Sequence, residues 1–152
     1  MATTVTSATL KVQIQEDIEL NGIKRGSKII HEIASIAQID ERVMTVPTHD
    51  VSVLILSSSA GAGTYSTSTF KYARFTNLDD ENYLTITAVA GASDSVAVQK
   101  LPPKSSMIIT SPSISGSAAG VEVGGNTFSN FTSVKASANS SSIDMSLFIA
   151  TT

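Results

Sequence analysis

The sequence predicts an all-β protein: an antiparallel β-sandwich, jelly-roll-like, with about eight strands and two long Gly/Ser loops. Three observations carry that expectation. Apolar residues recur with a period of two in several short stretches, most clearly where Leu84, Ile86 and Ala88 alternate with Tyr83, Thr85, Thr87 and Val89. Turn-forming residues punctuate those stretches: Asn21-Gly22, Gly91-Ala92-Ser93-Asp94 and Pro102-Pro103. Charge is thin, with 15% Asp, Glu, Lys and Arg, against a usual share of about 25%. Ser, Thr, Ala and Gly take its place, and hydroxyl side chains suit the exposed faces of sheets.

Residues Met1–Ser7 are small and hydroxyl-rich, with Val5 as the one apolar anchor; a frayed end and an arm that orders on a neighbouring subunit both fit. From residue 8 to 152 a single domain is expected, long enough to bury one core. Leu10, Val12, Ile14, Ile18 and Leu20 share the even positions of a first strand, and Glu16–Asp17 marks a bulge or bend in it. Asn21-Gly22 is the strongest hairpin signal, because a type I′ turn needs positive φ at both central residues. The segment 28–37 has two readings. Ile29, Ile30, Ile33, Ile36 and Ala37 would stripe a helix capped by Ser27, yet its β-branched content and its place after a hairpin turn favour a strand over Lys28–Ile36.

Asp40–Arg42 reads as a turn, followed by a strand VMTVP ending at Pro47. The mostly apolar run at Val51–Leu56, with Ser52 its one polar residue, predicts a strand covered on both faces. Ser57–Thr69 is a Gly/Ser crossover loop. Phe70–Leu101 then reads as a meander of three strands, reversed first at the polar turn Leu78–Asn82. Met107 and Ile109 share one face of the next short strand, and Ser111–Asn126 is a second loop or ragged edge. Phe128–Ala136 resumes the extended pattern. Ile143, Met145, Leu147 and Ile149 predict a final strand. By length, only the two Gly/Ser loops are expected to change sheets.

Composition excludes several function classes. A net charge of −3 offers no basic face for nucleic acid. No apolar run approaches the roughly 20 residues of a membrane span, and MATTVTSATL has the makings of no secretory signal. The absence of Cys removes disulfides, thiolate catalysis and Cys-ligated zinc. His31 and His49 lack ligand spacing. Asp79, Asp80 and Glu81 lack the spacing and Gly of a calcium loop, and read as a solvated hairpin turn. No Gly-x-Ser-x-Gly elbow or phosphate loop with its Lys occurs. The Asn130 and Asn139 glycosylation patterns read as chance matches, and Tyr65, Tyr72 and Tyr83 are too few aromatics to define a sugar platform. No enzyme activity, cofactor or metal is expected.

Five stretches together carry a resemblance: the hairpin ending in LNG, RVMTVP, SSSAGAGT, KYARFTNLDDENYLTI and VQKLPPKSSMII, between about Ile14 and Ile109. They resemble a group of small virion structural proteins of tailed bacteriophages, marine ones in particular. The resemblance implies a sandwich or jelly-roll module present in many copies on a particle. It does not by itself choose between shell, tail and fibre; the first expectation is a capsid decoration (cement) protein, a homotrimer bound to the phage major capsid protein on the capsid surface of the virion. In that picture Thr3, Thr4, Val5 and Thr6 of the arm touch the shell. The alternative is a tail- or fibre-associated module that binds tail proteins or a glycan receptor.

Overall fold

The alternation read from the sequence becomes strand after strand in the computed structural model, which describes residues 5–90, 96–114 and 129–152. Fourteen strands and no helix occur among the described residues. The chain divides into two compact units, Met1–Gln38 with Thr152, and Ile39–Thr151.

The first unit is a long two-stranded ribbon. Strand β1 (Ala8–Gln15) pairs antiparallel with β4 (Lys28–Ile36), and β2 (Ile18–Leu20) pairs with β3 (Ile23–Arg25). Asn21 and Gly22 both have positive φ, 54° and 75°, as the predicted turn requires. The same register holds from Leu20↔Ile23 back through Ile18↔Arg25 and Ile14↔Ile29 to Leu10↔Ile33. The interruption at Glu16–Asp17 therefore adds no residue to either limb; the Glu16 amide still bonds the Ser27 carbonyl at 2.9 Å. Gly26 makes that close approach possible. With φ at +139°, a Cβ there would lie 2.1 Å from the Glu16 carbonyl oxygen. The register slips only beyond Leu10, where Ser35 takes φ +64° and Ala8 meets Ile36. The strand reading of 28–36 holds, and the helix does not form.

The second unit is a sandwich. One sheet has the order β10 (Val96–Leu101), β9 (Leu84–Ala90), β13 (Ser129–Ala138), β6 (Val51–Ser57), β7 (Tyr65–Ser66), with β12 (Ser113–Ile114) also on β13. The other has the order β11 (Ser106–Ile109), β8 (Phe70–Asn77), β14 (Ile143–Thr151), β5 (Gln38–Val46). Apart from the short parallel pair of β6 with β7, the pairings described are antiparallel. The core lies between the sheets. Leu84, Ile86, Leu101, Phe131 and Val134 come from the first; Phe75, Met145, Leu147 and Ile149 come from the second; all are buried. Phe70 and Phe131 meet edge to face across it, centroids 5.9 Å apart.

Four local readings change. Residues 70–101 are not a meander: β8 and β9 lie in different sheets, and only β9 and β10 form an adjacent pair. Nor are the Gly/Ser loops the only crossings. The chain also changes sheet at 47–50, 78–83, 102–105, 110–112 and 139–142. Packed sheets stand about 10 Å apart, and extended residues advance about 3.3 Å each, so three or four residues suffice. Asp40–Arg42 is no turn but lies within β5. Finally, β6 is not covered on both faces. A register shift opposite it lets neighbouring Val53 and Leu54 both be buried, while Ile55 stays 40% exposed. The predicted loop at 111–126 falls largely outside the described residues.

Core position should decide the cost of truncation. Phe75→Ala is expected to lower stability by about 3–5 kcal/mol, and Ile55→Ala by about 1 kcal/mol or less, in urea titrations. Equal costs would contradict this assignment of the core.

Candidate functional site

Two features of the described surface have the build of a site: a polar knot where several crossings meet, and the ribbon of the first unit.

The knot is organised by Asn77, the last residue of β8. Alternation carries its side chain to the inner side of the sheet, where it is fully buried. Its amide nitrogen reaches the carbonyls of Asn82, Leu101 and Pro102 at 2.9, 3.2 and 3.1 Å, and its Oδ1 accepts the Asp79 amide at 3.0 Å. One side chain thus ties the 78–83 crossing to the 102–105 crossing. The Leu78 amide bonds the Asp144 carbonyl, and Asn139 exchanges bonds with the backbone of Tyr83, which brings in the 139–142 crossing. The Ala138 amide bonds the Pro47 carbonyl, which adds 47–50.

The acidic residues read from the sequence sit on this knot, around an open concavity lined by Leu78, Asp79, Asp80, Glu81, Asn82, Ser142 and Asp144. The carboxylates of Asp79, Asp80 and Asp144 are already engaged. Asp79 accepts the Asn82 and Glu81 amides at 2.6 and 2.8 Å, and those amides hold its carboxyl below the usual range, with the Lys104 charge adding to the effect. Asp80 pairs with Lys104 at 2.5 Å, and Asp144 accepts the Thr45 hydroxyl at 2.8 Å. Among the described residues no group of three or more His, Asp and Glu side chains is placed to hold a metal ion. The concavity is a by-product of backbone capping.

A second polar seam joins an edge of each sheet. Tyr65 on β7 donates its hydroxyl to Asp40 on β5, and Arg42 donates to the Val53 carbonyl at 3.1 Å. Desolvation, then the hydrogen bond and charge of Asp40, push the Tyr65 phenol up to about 12. Tyr72 is 4% exposed, and its ring meets Phe148 edge to face. The three tyrosines therefore do not share a platform.

The ribbon is the feature that sequence reading missed in kind. Directly paired residues of an antiparallel ladder point to the same face, and the constant register sorts the ribbon into two. One face carries Leu10, Val12, Ile14, Ile18 and Leu20 with Ile23, Ile29 and Ile33. The other carries Lys11, Asp17, Glu19, Lys24, Lys28 and Glu32, with Ile30 the exception; Lys11 and Glu32 pair there at 3.0 Å. The alternation was legible, but it promised a dry face. Instead Ile14, Ile18, Leu20, Ile23 and Ile29 are between 49% and 61% exposed. His31 lies exposed on that same apolar face, and His49 is exposed in the 47–50 crossing.

Of the arm residues expected to touch a partner, Val5 and Thr6 are exposed, whereas Thr3 and Thr4 lie outside the described residues. No family model matches the chain, and neither does any curated protein or solved structure.

The knot makes two measurable demands. Asn77→Ala strands buried carbonyls and is expected to cost about 1–3 kcal/mol in denaturant titrations; no change would show the knot to be incidental. A carboxyl held low in the folded state stabilises above its unfolded value, about 3.9, and that contribution disappears as pH falls through the lowered value. Asp79→Asn should accordingly lower stability near neutrality and make the curve shallower on the acid side, so that variant and unaltered protein converge as the pH falls.

Proposed function

We propose that this protein is a non-enzymatic virion structural subunit, a capsid decoration protein that binds the outside of a phage head and stabilises it. The observation that carries the reading is the ribbon: the second unit closes its own core, whereas the first is a long amphipathic hairpin on whose apolar side Ile14, Ile18, Leu20, Ile23 and Ile29 are exposed. The largest contiguous apolar patch on a soluble monomer, typically a few hundred Å², is often an interaction surface. The sequence resemblance to small phage virion proteins supplies the kind of assembly.

Physical chemistry supports the reading at two further points. The exposed faces are rich in hydroxyls and poor in charge, so identical copies crowd together without strong repulsion. Many copies, each held by a modest interface, reinforce a shell through multivalency. The partner in this proposal is the phage major capsid protein, with the chain itself as a second partner in a homotrimer. Residues Thr3, Thr4, Val5 and Thr6 would lie on the shell. Neither a nucleic acid nor a membrane takes part. A tail-borne glycan reader gains no comparable support, since Tyr65 is committed to Asp40 and Tyr72 is buried.

Stoichiometry on purified particles tests the location. A copy number that scales with the major capsid protein is expected; one that matches the low symmetry of a tail would overturn the shell assignment. Removing Met1–Ser7 is expected to weaken binding to undecorated shells, measured by co-sedimentation, while the circular-dichroism spectrum stays unchanged. Full binding by the truncated chain would eliminate the arm.

A further inference from the structure

We infer that the apolar face of the ribbon Ala8–Ile36 is a contact surface between copies of this chain, with a second copy's ribbon as its occupant. Three properties of the ribbon point there.

The first is that it has little to stand on alone. A two-stranded hairpin is marginal in water at best, and here the ladder pairs only with itself. Its apolar residues gain nothing from one another's company beyond direct cross-strand contacts. The second is its charge. The apolar face carries one acid, Glu16, and one base, Arg25, besides the neutral residues Ser27 and His31. It is therefore net neutral, so a symmetry-related copy of the same face meets no surplus of like charge. A foreign partner selected by charge would call for a face of one sign. The opposite face, with its three acids and three bases, already pairs Lys11 with Glu32 across the strands and stays suited to water.

The third is area. Eight partly exposed aliphatic side chains offer roughly 400 Å² of apolar surface, taking about 60–120 Å² for each when fully exposed. Two copies face to face would bury on the order of 800 Å² from those side chains, and neighbouring backbone and polar atoms bring the total near 1,000–1,200 Å². That is the size of a weak, concentration-dependent association. It suits a two-fold contact between subunits of neighbouring trimers held at high local concentration, as the proposed decoration role requires. The inference leans on that role only for its purpose. Its test contains no phage particle, so its failure leaves particle binding to be judged by co-sedimentation.

The experiment is sedimentation equilibrium of the purified full chain over a wide concentration range. The unaltered protein is expected to associate reversibly. Ile18→Thr with Ile29→Thr removes apolar area yet keeps β-branched residues in both limbs, and should weaken association by at least about 100-fold. Gln13→Thr with Gln15→Thr, on the polar face, should leave it unchanged. Near-ultraviolet circular dichroism and the urea midpoint of the sandwich core report whether each variant is folded. A more drastic change, Ile14→Lys with Leu20→Lys, should give a monomer with that core intact. A wild-type protein that stays monomeric throughout would overturn the inference, as would apolar-face variants that associate normally. So would loss of association in the polar-face control alone.

Discussion

A single layer of apolar side chains, sealed between two sheets of one unit, is the constraint on which the rest of this structure depends. Phe75, Leu84, Ile86, Phe131, Met145 and Leu147 are all fully buried within it. Burying a layer one side chain deep per sheet requires strands that alternate strictly, and β9 and β14 do so almost residue by residue. It also requires that both sheets be completed together, because neither has a dry face without the other.

That requirement explains the path of the chain. Strands that follow one another tend to face each other across the core rather than lie side by side: β5 is followed by β6, β8 by β9, β10 by β11 and β13 by β14, each in the opposite sheet. The short crossings that result expose backbone groups to a half-buried setting, where unpaired amides and carbonyls are costly. Asn77 answers that cost with one side chain that serves four backbone groups, and Asp79 caps two further amides. The acidic character of this end is thus a consequence of how crossings are capped. Polar residues clustered in sequence did not need a ligand to account for them.

The ribbon obeys the opposite logic. Its alternation is as regular as that of β9, its turn is as well specified, and Gly26 allows the two limbs to run on past Glu16 without a slip. Yet Ile14, Ile18, Leu20, Ile23 and Ile29 are exposed, and Leu10, Val12 and Ile33 only half-buried, where the apolar residues of β9 on its dry side are buried. Among the described residues the two units thus differ in kind: one encloses a buried core, and the other leaves Ile14, Ile18, Leu20, Ile23 and Ile29 exposed.

The sequence by itself determined which residues share a face and where the chain turns. The Asn21-Gly22 turn, the strand over Lys28–Ile36, the dry side of Leu84–Ala90 and the closing strand all follow from local sterics and a period of two. Only the tertiary structure decided which strands are neighbours, that 78–83 crosses between sheets, that Asp40 lies within a strand, and that Asn77 is a buried strut. It alone also decided that Ile14, Ile18 and Leu20 of the first limb are exposed. The physical reason is the same in each case. Alternation is a property of one strand's backbone, whereas pairing and burial depend on segments far along the chain, and the residues of one strand carry no record of what lies against them.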